Sequence, residues 1–151
     1  MQDFVHLHVH TQYSLLDGQA SVSRLVDKAM KDGMKGIAVT DHGNMFGIKE
    51  FTNYVNKKNS GPKGEIKDLK KRIAGIESGE IECEDKEAEI ADCRAKMAEA
   101  ESKLFKPIVG CEMYVARRTM DKKEGKPDQS GYHLIVLAKN CLLYTSPSPR
   151  D

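Results

Sequence analysis

"GIAVTDHG" fills residues 36 to 43, and its apolar run of Ile37, Ala38 and Val39 ends directly in polar residues and a glycine. A continuous apolar run of this length is typical of a strand that is buried on both faces, as in a parallel sheet. Asp41 and His42 then lie at the carboxyl end of the strand, which is the edge where α/β folds assemble their functional sites. The sequence therefore predicts a buried central strand that delivers polar side chains to a site.

Two further elements precede this strand. The segment 4–10, "FVHLHVH", alternates apolar and polar residues, which predicts a strand with one packed face. A helix is expected to begin after Ser21, a typical N-cap residue, and to end at Asp32 and Gly33. Strand, helix and strand at this spacing form a βαβ unit. The apolar positions are Val5, Leu7 and Val9 in the strand, opposite His6, His8 and His10, and Val22, Leu25, Val26, Ala29 and Met30 in the helix.

The alternation of helix and strand continues further along the chain. A second helix is predicted over residues 47–56, with Ile48, Phe51 and Val55 facing inward. Two later strands are predicted over residues 107–115 and 133–138. This order favours an α/β architecture with a parallel sheet.

Residues 57–105 interrupt that pattern, because they are rich in Lys and Glu and their apolar residues recur at spacings of three and four. Such spacing is that of a heptad seam. The stretch "ESGE" at 77–80 separates the two seams, so the sequence predicts two helices folded back as an antiparallel hairpin, inserted before the strand at 107. Two separate solvated helices remain the alternative. The seams are Ile66, Leu69, Ile73 and Ile76, and Ile90, Cys93, Met97, Ala100 and Leu104.

Composition excludes several classes of protein. The 151 residues suffice for one ordinary domain, and 24 basic residues against 23 acidic ones leave no global field to attract nucleic acid or an anionic membrane. The four cysteines have no C-x-x-C spacing, and no apolar stretch approaches the roughly 20 residues that span a bilayer. We therefore expect a reduced, cytoplasmic protein without a membrane segment.

The polar residues near the strand ends are of metal-binding types. His8 and His10 lie two apart, and a strand projects such residues to one side, about 6.5 to 7 Å apart. An isolated H-x-H pair more often binds nothing, so a metal site needs further ligands from other strands. His42, Glu112 and His133 each lie on or directly after a different predicted strand. Asp17, in the turn that follows the first segment, adds a carboxylate. A mixture of imidazoles and carboxylates suits Zn, Mn or Fe better than a thiolate-bound structural zinc.

Four segments, in order and spacing, resemble the first motifs of the polymerase and histidinol phosphatase (PHP) domain. They are "HLHVHTQYSLLDG", "GIAVTDHGNMFG", "KPIVGCEMYVARR" and "YHLIVLAKN". The "SLLDG" and "GCEMYVARR" segments resemble the version at the amino terminus of bacterial DNA polymerase III alpha subunits, and the helical insertion is similar to that of Bacteroidetes-type bacteria. The resemblance covers residues 3–140.

The resemblance implies a distorted (β/α)7 barrel with a trinuclear metal centre at the carboxyl ends of its strands. This chain would form part of that barrel, as a partial PHP domain over residues 1–140 with the hairpin of residues 57–105 inserted. Asp41 is expected to orient an imidazole rather than to bind metal, and His6 to be an ordinary polar strand residue. The implied metal ligands are His8, His10, Asp17, His42, Glu112 and His133.

The resemblance also implies a function. The parent protein would be a DNA-directed DNA polymerase that uses deoxynucleoside triphosphates and Mg and binds other DNA polymerase III holoenzyme subunits. Its PHP domain would be a metal-dependent phosphoesterase, associated in the family with 3′–5′ exonuclease activity. Two alternatives stay open: a stand-alone phosphoesterase such as histidinol phosphatase, and a metal-stabilised scaffold without catalysis.

The last residues, 141–151, "CLLYTSPSPRD", have neither helical nor strand periodicity. A reverse translation of this peptide resembles a transposase-type sequencing adapter, so we expect a non-native tail and a natural gene interrupted near Asn140. A genuine tail rich in Pro and Ser is the alternative. The family pattern requires later ligands that do not follow His133, and an unfinished barrel would expose apolar strand faces; poor folding in isolation is therefore expected.

Overall fold

The computed structural model describes residues 4–119, 121–122, 124–126 and 131–139, and the predicted adapter-derived tail lies outside these residues. None of the helices in this part of the chain is long and apolar enough to cross a membrane. The described residues divide into two compact units, those within 1–54 and 106–139 and those within 55–105. The elements are α1 (Val22–Lys31), β1 (Gly36–Val39), α2 (Ile48–Lys58), α3 (Ser60–Ser78), α4 (Lys86–Ser102), β2 (Lys106–Val115) and β3 (Tyr132–Leu137).

Helix α1 and strand β1 of the first unit agree with the predictions from their apolar patterns. Ser21 caps α1 by accepting a hydrogen bond from the Arg24 amide, and Val22, Val26 and Ala29 are buried. All four residues of β1 are buried, as the continuous apolar run requires. The protein is therefore a mixed α/β structure in which β1 is a buried central element.

The sheet has the order β1-β2-β3, and its third strand differs from the prediction. β1 and β2 are parallel, with Val39 opposite Val109, but β2 and β3 are antiparallel, with Tyr114 opposite His133. A parallel crossover usually needs a helix, whereas an antiparallel pair does not. The residues that the structure describes between β2 and β3 contain no α-helix. The expectation of a wholly parallel sheet was therefore wrong for β3.

The predicted first strand, residues 4–10, is not formed as a regular strand. It is attached to β1 by two backbone hydrogen bonds, from the Ala38 amide to the His6 carbonyl and from the Thr40 amide to the Val9 carbonyl. Two steps along β1 thus correspond to three along the segment, as in a β-bulge. The extra residue breaks the alternation of faces, and Leu7, predicted to be packed, is 51% exposed.

The second unit consists mainly of α3 and α4. Gly79 ends α3 in the left-handed region at φ 81°, and Asp85 caps α4 by accepting from the Ala88 amide. Arg72, near the end of α3, pairs at 3.0 Å with Glu89, near the start of α4, so the two helices run antiparallel. Their place as an insertion within a domain stays a prediction.

Candidate metal centre

Pairing of β1 with β2 and of β2 with β3 brings three residues of metal-binding type to one edge of the sheet. His42 follows β1 and forms an isolated parallel bridge with Glu112 of β2. His133, at the start of β3, lies opposite Tyr114, two residues beyond Glu112. Because β3 is antiparallel, its beginning rather than its end reaches this edge. The Glu112 carboxylate is 1% exposed and contacts His133 Nδ1.

The amino-terminal segment places two imidazoles against the same carboxylate. His10 Nε2 lies 2.8 Å from Glu112 Oε2, and His8 Nε2 lies 3.3 Å from that oxygen. The two imidazole rings are edge to face, with centroids 4.8 Å apart. His8 and His10 therefore share one acceptor oxygen, which belongs to a residue more than 100 positions further along the chain.

Asp17 completes the cluster from the loop before α1. Its Oδ2 lies 2.8 Å from His42 Nε2 and 3.5 Å from His10 Nδ1. Gly18 allows the loop to fold this tightly, since a Cβ at that position would lie 1.8 Å from the Thr11 carbonyl oxygen. The structure thus brings together all six side chains that the sequence analysis proposed as ligands; whether they bind metal stays a prediction.

Three overlapping groups within this cluster could hold a metal ion, and in each group the potential ligand atoms lie within 4.8 Å of one another. Two buried atoms, His42 Nδ1 and Glu112 Oε1, lie 3.3 Å apart and form no hydrogen bond of good geometry with the described residues, although Glu112 Oε1 also contacts His133 Nδ1. Since buried polar atoms are normally satisfied, this pair fits a cation as the missing partner. The groups are His8, His10 and Glu112; His10, Asp17 and His42; and His42, Glu112 and His133.

Comparison with known proteins agrees with this geometry. The family model of the PHP domain matches residues 6–145. The chain belongs to the PHP domain family. Among its relatives, the DNA polymerase III alpha subunits of Borreliella burgdorferi and Treponema pallidum are each 37% identical, over 142 and 138 residues, which is 93% and 91% of this chain. That of Aquifex aeolicus is 30% identical over 145 residues, or 92% of the chain. The PHP chain spans only 8 to 9% of the length of these relatives.

The charged forms of Asp17, His42 and Glu112 in the PHP site are stabilised by their neighbours. The hydrogen bond between Asp17 and His42 lowers the pKa of Asp17 and raises the pKa of His42. Burial raises the pKa of Glu112, but the hydrogen bond from His10 and the charges of His42 and His133 outweigh it, so the net pKa lies below the usual value. The carboxylates therefore remain anionic at neutral pH, and a proton competes with a cation for His42.

Asp41 has a different part in the PHP domain from the one expected. It was predicted to orient an imidazole, but its buried carboxylate accepts hydrogen bonds from the Thr11 amide at 2.6 Å, from Thr11 Oγ1 at 2.8 Å and from Ser14 Oγ at 2.7 Å. Ser14 Oγ in turn accepts from the His42 amide at 3.2 Å. Asp41 therefore fixes the backbone of the loop that carries Asp17, and Ser14 links its carboxylate to the His42 amide.

Thr40 is a site residue that the sequence analysis missed. Its Oγ1 lies 2.9 Å from His8 Nδ1 and also accepts a hydrogen bond from the Val9 amide at 3.0 Å. A partner on Nδ1 fixes the ring and leaves Nε2 directed at Glu112, as is usual for metal-binding histidines. The only available signal was its position directly after the buried run. His6, by contrast, is exposed and packs on Phe4.

Proposed function

We propose that this chain is the amino-terminal part of a bacterial DNA polymerase III alpha subunit, and that its PHP domain is a metal-dependent phosphoesterase acting as a 3′–5′ exonuclease. Three relatives named as that subunit match more than nine-tenths of the chain. Since the chain spans under a tenth of their length, DNA polymerase activity is proposed for the parent protein alone. The parallel pairing of β1 with β2, with helices between these strands in the chain, supports the proposal that the chain forms part of a (β/α)7 barrel.

The observation that carries this proposal is the buried carboxylate of Glu112 with four imidazoles around it. His8 and His10 approach one carboxylate oxygen, and His42 and His133 approach the other. A buried acceptor shared by so many nitrogen atoms is an arrangement suited to neighbouring cations. We propose Zn, Mn or Fe as the bound metal, with ligands His8, His10, Asp17, His42, Glu112 and His133.

Such a site supports hydrolysis of a phosphoester. Divalent cations held by these ligands would supply a nucleophilic hydroxide and would neutralise the charge of the phosphate oxygens. The protein holds the imidazoles and the carboxylates at fixed positions: Thr40 orients His8, and the hydrogen bonds to Asp41 hold the loop of Asp17. The substrate of the PHP site would be the 3′ end of DNA.

The partners proposed for the parent protein follow from the relatives' names. They are DNA, deoxynucleoside triphosphates with Mg for polymerisation, and the other subunits of the DNA polymerase III holoenzyme, in the cytoplasm. The residues for polymerisation would lie outside this chain, and the metal ligands are the catalytic groups that we propose within it.

The test is exchange of His8 and His10 for alanine in the full-length gene product, with removal of 3′ nucleotides measured in Mn²⁺ or Zn²⁺. We expect loss of bound metal and of exonuclease activity, while polymerisation continues. His6→Ala is the matched control, since that imidazole lies in the same segment but outside the cluster, and it should leave both unchanged. Unchanged exonuclease activity in the His8 and His10 variant would favour the scaffold. A short natural reading frame and hydrolysis of small phosphate esters would favour a stand-alone phosphatase.

A further inference from the structure

Exposed apolar side chains lie on two loops of the candidate metal centre. Leu15 is 80% exposed, Leu16 is fully exposed, and Phe46 is 77% exposed. Single exposed apolar residues are common on proteins, but large ones grouped beside a polar site more often mark a binding surface. We call these three residues the apolar rim.

Leu16 has a backbone conformation that the fold does not favour. Its φ of 90° is in the left-handed region, and it is the only non-glycine residue of the described chain with a positive φ. The loop around it is closed by hydrogen bonds from the amides of Asp17 and Gly18 to the Ser14 carbonyl, at 3.3 and 2.9 Å. Glycine would fit this position without strain. A strained residue with a fully exposed apolar side chain contributes little to folding, which points to a role outside the fold.

The loops that carry the rim are connected to the cluster. Leu16 directly precedes Asp17, whose carboxylate contacts His42. The loop of Phe46 is held beside the first loop by Asn44, which donates a hydrogen bond to the Tyr13 carbonyl at 3.1 Å and accepts one from the Phe46 amide at 3.1 Å. Both loops are thus fixed relative to the cations that the cluster would bind.

An aromatic ring stands on the strand side of the same cluster. Tyr114 is 54% exposed, and its ring lies nearly parallel to that of His42, at 12° and a centroid distance of 6.2 Å. Gly43 makes room for it, because a Cβ there would lie 3.1 Å from the tyrosine ring. Flat apolar surface is therefore present at the cluster on the strand as well as on the loops.

We propose that the apolar rim, together with Tyr114, binds the base of the nucleotide whose phosphate lies at the metal centre. This inference rests on the proposed phosphoesterase function and narrows its substrate to nucleic-acid ends that carry a base. Bases stack on aromatic and apolar side chains irrespective of sequence, since every base has a π-face. A small polar phosphate ester has no base to cover the apolar rim, so the rim would stay exposed to water.

The test compares two single-stranded oligonucleotides in the full-length gene product, one ending in a normal 3′ nucleotide and one whose last residue lacks its base. The variants are Leu16→Gly, which relieves the strained φ, and Phe46→Ala. The matched control is Leu134→Ala, because Leu134 is 51% exposed but, by strand register, on the face of the sheet opposite Glu112. Metal content is measured for every variant.

The wild-type protein should prefer the base-bearing end, and each rim variant should lose about tenfold in kcat/KM on that end while changing little on the abasic end. Metal content should stay constant, and Leu134→Ala should behave as wild type. Three results overturn the inference while leaving the exonuclease intact: no preference in the wild type, equal losses on both ends, or loss of metal from Leu16→Gly, which would make the role of Leu16 structural. Absence of 3′ removal from the wild type would instead refute the proposed function itself.

Discussion

Replacement of Asp41 by alanine should open the loop that carries Asp17. The carboxylate is 1% exposed, and its donors Thr11 and Ser14 are fully buried, so the variant leaves donors without partners. A hydrogen bond to a charged acceptor contributes roughly 1.5 kcal/mol or more, and three such bonds are lost. We expect the free energy of local opening to fall by about 4.5 kcal/mol, and the exchange rate reaches its limit when the loop is fully open.

Hydrogen–deuterium exchange of the full-length gene product, followed by mass spectrometry, measures this opening. Peptides covering residues 11–18 should exchange up to about a thousandfold faster in Asp41→Ala, since each 1.4 kcal/mol is a factor of ten. Asp41→Asn is the matched control, because the amide oxygen can still accept from the Thr11 amide and from Ser14. Neutral hydrogen bonds are about half as strong as charge-assisted ones, so this variant should lose roughly half as much free energy.

Metal binding should weaken in parallel, because Asp17 and the His42 backbone both depend on this loop. The reasoning would be refuted if Asp41→Ala exchanged at the wild-type rate, or if the asparagine variant were as damaging as the alanine variant. The first result would show that the loop is held by other contacts, and the second that charge rather than hydrogen bonding matters.

Three further predictions concern other parts of the chain. Thr40→Val should weaken metal binding about tenfold or more, because His8 Nδ1 loses its partner, whereas Thr40→Ser keeps the hydroxyl and should bind metal as the wild type does. The metal affinities are measured by competition with a metal indicator, and equal affinities of the two variants would contradict the prediction. When a chelator has removed bound metal, the raised pKa of His42 stabilises the folded domain below pH 6.5, the unfolded pKa, and this stabilisation is lost as the pH rises through the folded pKa. The lowered pKa of Glu112 stabilises the folded domain above pH 4.5, and this stabilisation is lost as the pH falls through the folded pKa of Glu112. Melting temperature should therefore be highest between about pH 4.5 and 6.5, and a maximum outside this window would count against the cluster. Asn59→Ala removes two buried hydrogen bonds, of 2.8 and 2.9 Å, to the backbone of Phe105 just after α4. The free energy of local opening of the hairpin ends should fall by about 2 to 3 kcal/mol, which is measured as faster amide exchange there. Unchanged exchange would contradict this prediction.

Local pattern was sufficient to predict most elements of the fold. Helix α1 agrees with its Ser21 cap and apolar spacing, and β1 agrees with a run that is apolar throughout. These features are properties of neighbouring residues, so the sequence displays them directly. Residues 4–10 show where this fails, because a bulge is set by pairing with β1 and not by the alternation itself.

The candidate site divides in the same way. Residue types and motif resemblance alone determined which imidazoles and carboxylates to consider, since His8, His10 and Glu112 are of metal-binding type wherever they lie. Only the tertiary structure decided that β3 is antiparallel, that Asp41 holds a loop rather than an imidazole, and that Thr40 orients His8. Strand direction and side-chain hydrogen bonds depend on distances between residues remote in the chain, and a one-dimensional pattern does not contain those distances.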